Sequence, residues 1–106
     1  MRGVIKNVLA EELQNSLNMK KEYEKSLREL PQGCLVSRKM RGQRYYYLVR
    51  REGRKIKYIY KGKPSQGYIK EYEEAKRMRA KYRKLLSQVK KQIKFLKGTL
   101  RGKEAI

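Results

Sequence analysis

The side chains in this chain with chemistry to offer are cations, and few anions stand near enough to answer them. Residues 33–63 hold Arg38, Lys39, Arg41, Arg44, Arg50, Arg51, Arg54, Lys55, Lys57, Lys61 and Lys63, eleven cations against the single carboxylate of Glu52. Residues 75–103 hold twelve more Lys and Arg and no acid. Groups packed this densely repel one another unless a polyanion neutralises them, and phosphate backbones are the commonest polyanion in a cell. The chain as a whole carries 30 Lys and Arg against 10 Glu, a formal net charge of +20 on 106 residues, yet residues 1–32 are close to neutral with six basic and five acidic side chains. The charge is therefore concentrated in two stretches, and nucleic acid is the partner it predicts. The competing reading is a surface that is merely very soluble.

The residue types that are missing narrow the chemistry further. With no His and no Asp, the common general base, the Ser-His-Asp triad and the Cys-His pair are all ruled out. One thiol, Cys34, and no imidazole leave too few soft ligands for zinc. The Glu residues fall where helix dipoles or i,i+4 pairing account for most of them. Neither a Walker phosphate loop nor a dinucleotide fingerprint occurs. The sequence thus predicts a protein that is not an enzyme, with no catalytic residues, no metal and no cofactor. Cys34 cannot form an intramolecular disulfide, suits a reducing compartment, and reads as a small hydrophobe in a strand. No stretch nears eighteen consecutive apolar residues. The basic start, Met1 to Lys6, runs into Glu11 and Glu12 without the apolar core of a secretory signal. A cytoplasmic chain with no membrane partner is expected.

The elements that must position these cations follow from hydrophobic spacing. Val8, Leu9, Leu13, Leu17, Tyr23, Leu27 and Leu30 recur at three- and four-residue steps, which predicts an amphipathic helix over 1–30. Pro31-Gln32-Gly33 stops it. Three β-prone runs come next, Cys34 to Met40, Arg44 to Arg50 and Lys55 to Lys61. Arg41-Gly42 and Glu52-Gly53 separate them and supply the glycines that tight hairpins need. A basic three-stranded antiparallel meander over 31–63 is the result. Taking Glu52-Gly53 as a two-residue loop sets Arg50 opposite Lys55, Val49 opposite Ile56, Tyr47 opposite Tyr58 and Tyr45 opposite Tyr60. Val49, Ile56 and those four tyrosines then share one face, which is expected to be core, with Tyr46 on the other and exposed. Tyrosines on a sheet can also stack on unpaired bases, and Tyr46 is the candidate for that role.

From 64 to 98 a second helix is expected, with Ser65 near its N-cap and Glu71, Glu73 and Glu74 in its opening turns. Ala75, Met78, Tyr82, Leu85, Val89, Ile93 and Leu96 trace its apolar stripe. Arg77, Lys81, Lys84 and Lys91 form a rear stripe, with Lys76, Arg79, Arg83, Lys90, Lys94 and Lys97 beside it. A helix this long outreaches a three-stranded sheet, so its far end must pack on the first helix, on a second copy, or along a ligand. Gly98 should end it, leaving 99–106 as a flexible tail. The whole reads as one α+β domain in the order α-β-β-β-α: N-terminal helix, three-stranded antiparallel β-meander, long C-terminal helix.

Leu30-Pro31-Gln32-Gly33, then Gly42-Gln43-Arg44-Tyr45-Tyr46-Tyr47-Leu48, then Arg51-Glu52-Gly53 and Tyr60-Lys61-Gly62-Lys63 together resemble a hairpin module. It is the LPxG…YYYL…REG…YxGK module of small uncharacterised basic prokaryotic proteins linked to mobile elements. The resemblance covers residues 30–63 and brings no activity with it. In layout, three strands followed by a helix, the chain is also similar to the arm-type DNA-binding domains of tyrosine recombinases. That likeness implies a sheet entering the major groove of DNA.

Two functions compete. The first is a non-enzymatic nucleic-acid-binding protein, DNA-binding and associated with a mobile element, gripping phosphates with its hairpins and second helix. The second is an accessory RNA-binding subunit, or a coiled-coil adaptor, of a larger ribonucleoprotein complex. A homodimer or a larger protein partner through the amphipathic helices fits either.

Overall fold

Pro31 pushes the residue before it out of helical geometry, and the first helix ends just short of it. The computed structural model describes residues 2–104, with side chains over 5–102. Helix α1 runs Arg2–Glu29, strands β1, β2 and β3 run Cys34–Met40, Gln43–Glu52 and Lys55–Gly62, and helix α2 runs Gln66–Glu104. The strands form one antiparallel sheet in the order β1-β2-β3. The class is α+β, and the element order is the one the hydrophobic spacing predicts.

Both hairpins have two-residue loops. In the first, Arg41 and Gly42 both take positive φ, 52° and 78°, the type I′ pattern whose twist suits flanking strands. The second loop is Gly53-Arg54 rather than Glu52-Gly53. Only Gly53 has positive φ there, 62°, as a type II′ turn requires at its first loop position. Glu52 therefore joins β2 and pairs with Lys55, which sets Arg50 opposite Lys57, Val49 opposite Tyr58 and Tyr47 opposite Tyr60. This replaces the expected register. Because the slide moves partners by two residues, every side chain stays on the face assigned to it. A bulge lies beyond, where Tyr46 pairs with Gly62 and Lys61 is left over.

The chain forms two compact units, Leu30–Arg79 and the pair Met1–Glu29 with Ala80–Ile106; α2 contributes to both. In the first unit, Leu48 is 5% exposed, and Leu35, Tyr46 and Ile59 on the same sheet face are partly buried. The element of that unit available to cover them is the start of α2, whose Ile69 and Ala75 are buried. Ser65 caps this helix: its hydroxyl accepts from the Tyr68 N–H at 3.2 Å and its carbonyl from the Ile69 N–H at 3.1 Å. The first turn of α2 holds no acid, so Glu71, Glu73 and Glu74 lie beyond it.

In the second unit, α1 and the far part of α2 run antiparallel. Tyr23 and Tyr82 sit with ring centroids 6.1 Å apart, and Gln92 Nε2 donates to Glu12 Oε1 at 3.3 Å. Val89, Ile93 and Leu96 are buried, and Tyr82 and Leu85 partly so, as the stripe predicts. Val8, by contrast, is exposed. Helix α2 does not stop at Gly98. It continues to Glu104 and buries Leu100, so the expected tail is helix over 99–104, while 105 and 106 lie outside the described residues. An apolar anchor two residues beyond a glycine outweighs the roughly 1 kcal/mol that glycine costs a helix. Among the described residues no helix is long and apolar enough to cross a membrane.

Candidate nucleic-acid interface

The cations singled out by composition are displayed to solvent. Arg38, Lys39, Arg41, Arg44, Arg50, Arg51, Arg54, Lys55, Lys57, Lys61 and Lys63 on the sheet are all exposed, as are Arg77, Lys81, Lys84 and Lys91 on α2. Strand alternation divides those of the sheet between two faces. Arg38 and Arg51 project with Tyr45, Tyr47, Tyr58 and Tyr60. Lys39, Arg44, Arg50, Lys55 and Lys57 project with Leu48, toward the ends of its face. Arg41 and Arg54 stand in the loops, where side chains reach past the sheet.

Few of these charges are answered within the chain. Among the described residues, Glu52 is the carboxylate that reaches them: Oε1 accepts from Arg50 Nη2 at 2.8 Å and Oε2 lies 3.5 Å from Lys57 Nζ. Arg38 and Lys63 lie over rings instead, with Arg38 Cζ 5.8 Å from the Tyr47 centroid and Lys63 Nζ 5.8 Å from that of Tyr45. Lys63 also donates to Gln43 Oε1. Arg79 departs from its neighbours on α2. It is partly buried, its Nη2 donates to the Pro31 carbonyl at 2.6 Å, and its Nη1 faces Cys34 Sγ at 3.9 Å. Its guanidinium is a structural tie. Cys34 is only partly buried, against this cation.

Two of the four tyrosines expected in the core are exposed, and the one expected to be exposed is not. Tyr58 is 64% exposed and Tyr60 58%, with Ile56, Val36 and Met40 also open on their face, and Tyr45 and Tyr47 only half-buried. Tyr46, the expected stacking residue, is half-buried on the Leu48 face. The face richer in apolar atoms is the open one. One signal in the sequence pointed this way. Four of its side chains carry hydroxyls that need water or a partner, whereas Leu35, Leu48 and Ile59 carry none.

Comparison with protein-family models, curated proteins and solved structures finds no match to this chain.

Proposed function

We propose that this chain is a non-enzymatic nucleic-acid-binding protein that grips the phosphate backbone with its basic hairpins and the exposed basic face of α2. The observation that carries this reading is that the fifteen cations singled out on the sheet and α2 are all exposed and, among the described residues, meet one carboxylate between them, that of Glu52. Each phosphate they neutralise releases condensed counterions, a gain that needs no particular base sequence. Cations in the hairpin loops set the register of the protein on its ligand, and those of α2 add affinity that is indifferent to sequence. The likeness in layout to arm-type DNA-binding domains favours DNA as the polymer. The adaptor reading has less support, because Tyr82 of the α2 stripe meets Tyr23, and Gln92 meets Glu12, on α1 of the same chain.

Anisotropy titration of a labelled DNA across a salt series tests this reading. Affinity should fall steeply, and log affinity against log salt should be linear with a slope of about −0.7 to −0.9 per phosphate neutralised. Arg50→Ala, Arg54→Ala and Lys57→Ala together should weaken binding and flatten that slope. Failure to bind DNA or RNA at low salt would end the proposal, and unchanged affinity in the triple variant would take the hairpin end out of the interface.

A further inference from the structure

An open sheet face is ordinarily polar, but here it is paved with rings. Tyr60 sits with its centroid 5.3 Å from that of Tyr47 and 6.4 Å from that of Tyr45. Tyr58, the most exposed of the four, has none of those neighbours within ring-contact distance and instead helps line a depression of about 230 Å³ with Val36, Arg38 and Tyr47. Alternation turns Glu52 to the opposite face, so among the described residues no carboxylate is paired with Arg38, Arg51 or Lys63. Arg38 and Lys63 hold positive charge over two of the rings.

We propose that this face is a stacking platform for unpaired nucleobases. One base seats in the depression between Tyr47 and Tyr58, and Arg38 and Lys63 reach the adjoining phosphates. The inference rests on the nucleic-acid reading above and adds the kind of strand that is bound. Stacking buries the apolar faces of both base and ring, works with any base, and needs the base out of its duplex. The guanidinium plane of Arg38 offers a second flat surface of the same kind. Reading duplex DNA from this face would instead call for Arg, Asn or Gln at its centre, aimed at base edges. Its centre holds rings and Val49, with Gln43 and Arg51 toward the ends of β2, and Arg38, on the edge strand β1, lies over the Tyr47 ring. The charge on the rim identifies a polyanion as occupant, and the paving identifies one with exposed aromatic rings.

The test compares four probes at one salt concentration: a mixed-sequence 12-nucleotide DNA strand, its RNA counterpart, the same DNA as a duplex, and an abasic strand that keeps the phosphates but has no bases. The intact chain should bind either base-bearing single strand on the order of tenfold more tightly than the abasic one. Tyrosine fluorescence should be quenched by the base-bearing strands and not by the abasic one. Tyr58→Ala and Tyr60→Ala should each remove most of the difference while leaving abasic binding as it was, and Tyr58→Phe should keep it. Equal affinity for base-bearing and abasic strands, or a preference for the duplex, would overturn the platform and leave the phosphate-binding reading standing. Absence of binding to all four would overturn that reading itself. Self-association abolished by Tyr58→Ala, without base-dependent binding, would assign the face to a second copy of the chain and overturn the platform as well.

Discussion

Arg50 holds Glu52 through two of its nitrogens, Nε at 3.2 Å and Nη2 at 2.8 Å from the same carboxylate oxygen. The Arg50 hydrogen bond first, and the Lys57 charge second, keep the Glu52 carboxyl below the usual carboxylate range. A carboxyl lowered in this way supports the folded hairpin above its unfolded pKa, and the support fades as pH falls through the folded value. The same carboxylate competes with phosphate for both cations. Glu52→Gln should therefore tighten nucleic-acid binding at fixed salt, by up to about fivefold given how little an exposed pair is worth. Titration of the Glu52 carboxyl by NMR should give a midpoint below the ordinary range that rises in Arg50→Ala. An unmoved midpoint would mean the pair does not form in solution.

Ser16 is wholly buried in α1, and its hydroxyl has no hydrogen-bond partner. The antiparallel contacts of Tyr23 with Tyr82 and Glu12 with Gln92 place it level with Val89, which is 2% exposed. A small residue lets the helices approach at that level, but the stranded hydroxyl is costly. Ser16→Ala should raise unfolding stability by about 1 kcal/mol, and Ser16→Leu should lower it through overpacking. Urea denaturation followed by circular dichroism measures both. A loss of stability in Ser16→Ala would show that the hydroxyl is bonded after all.

Arg79 and Lys81 look alike in the sequence but do different work. Arg79 ties α2 to the Pro31 carbonyl, whereas Lys81 is exposed. Arg79→Ala should cost about 1.5–3 kcal/mol, the range for a hydrogen bond to a charged group, and leave the salt slope of nucleic-acid binding in place. Lys81→Ala should stay within about 0.5 kcal/mol in stability while weakening that binding. If the two variants behave alike in both assays, Arg79 belongs to the interface and not to the scaffold.

The order of elements was legible because its signals are local. Pro31, Gly33, Gly42 and Gly53 mark the breaks, and two helical stripes need no knowledge of distant neighbours. The buried side of the sheet was not legible. The face bearing Val49, Ile56 and four tyrosines outweighs the face bearing Leu48 in apolar atoms, and the rule that burial follows apolar content breaks down where an apolar face is left open. The second loop slid by one residue because a type II′ turn places its glycine first, and nothing in Glu52-Gly53-Arg54 alone distinguishes that from glycine second. Arg79 could not be told from eleven other cations in its stretch until its partner on the far side of the sheet sequence was known.

Gly33 separates two costs that glycine replacement usually confounds. Its φ is 98°, and a Cβ there would lie 2.8 Å from the Val49 carbonyl oxygen and 3.0 Å from both Arg50 Cβ and Leu48 Cδ1. Gly42 also has positive φ, 78°, but a Cβ there would meet nothing within 4 Å. Gly42→Ala should pay only for the left-handed backbone, about 1 kcal/mol. Gly33→Ala adds a clash with main chain and with the side chain at the centre of the sheet's buried face, so a loss of about 3 kcal/mol or more is expected. Because β2 must move to relieve it, the loss should come with disturbed amide shifts at Leu48 and Val49. Equal losses in the two variants would show that the entry to β1 gives way freely, and that Leu48 is not held where the inner face of the sheet requires it.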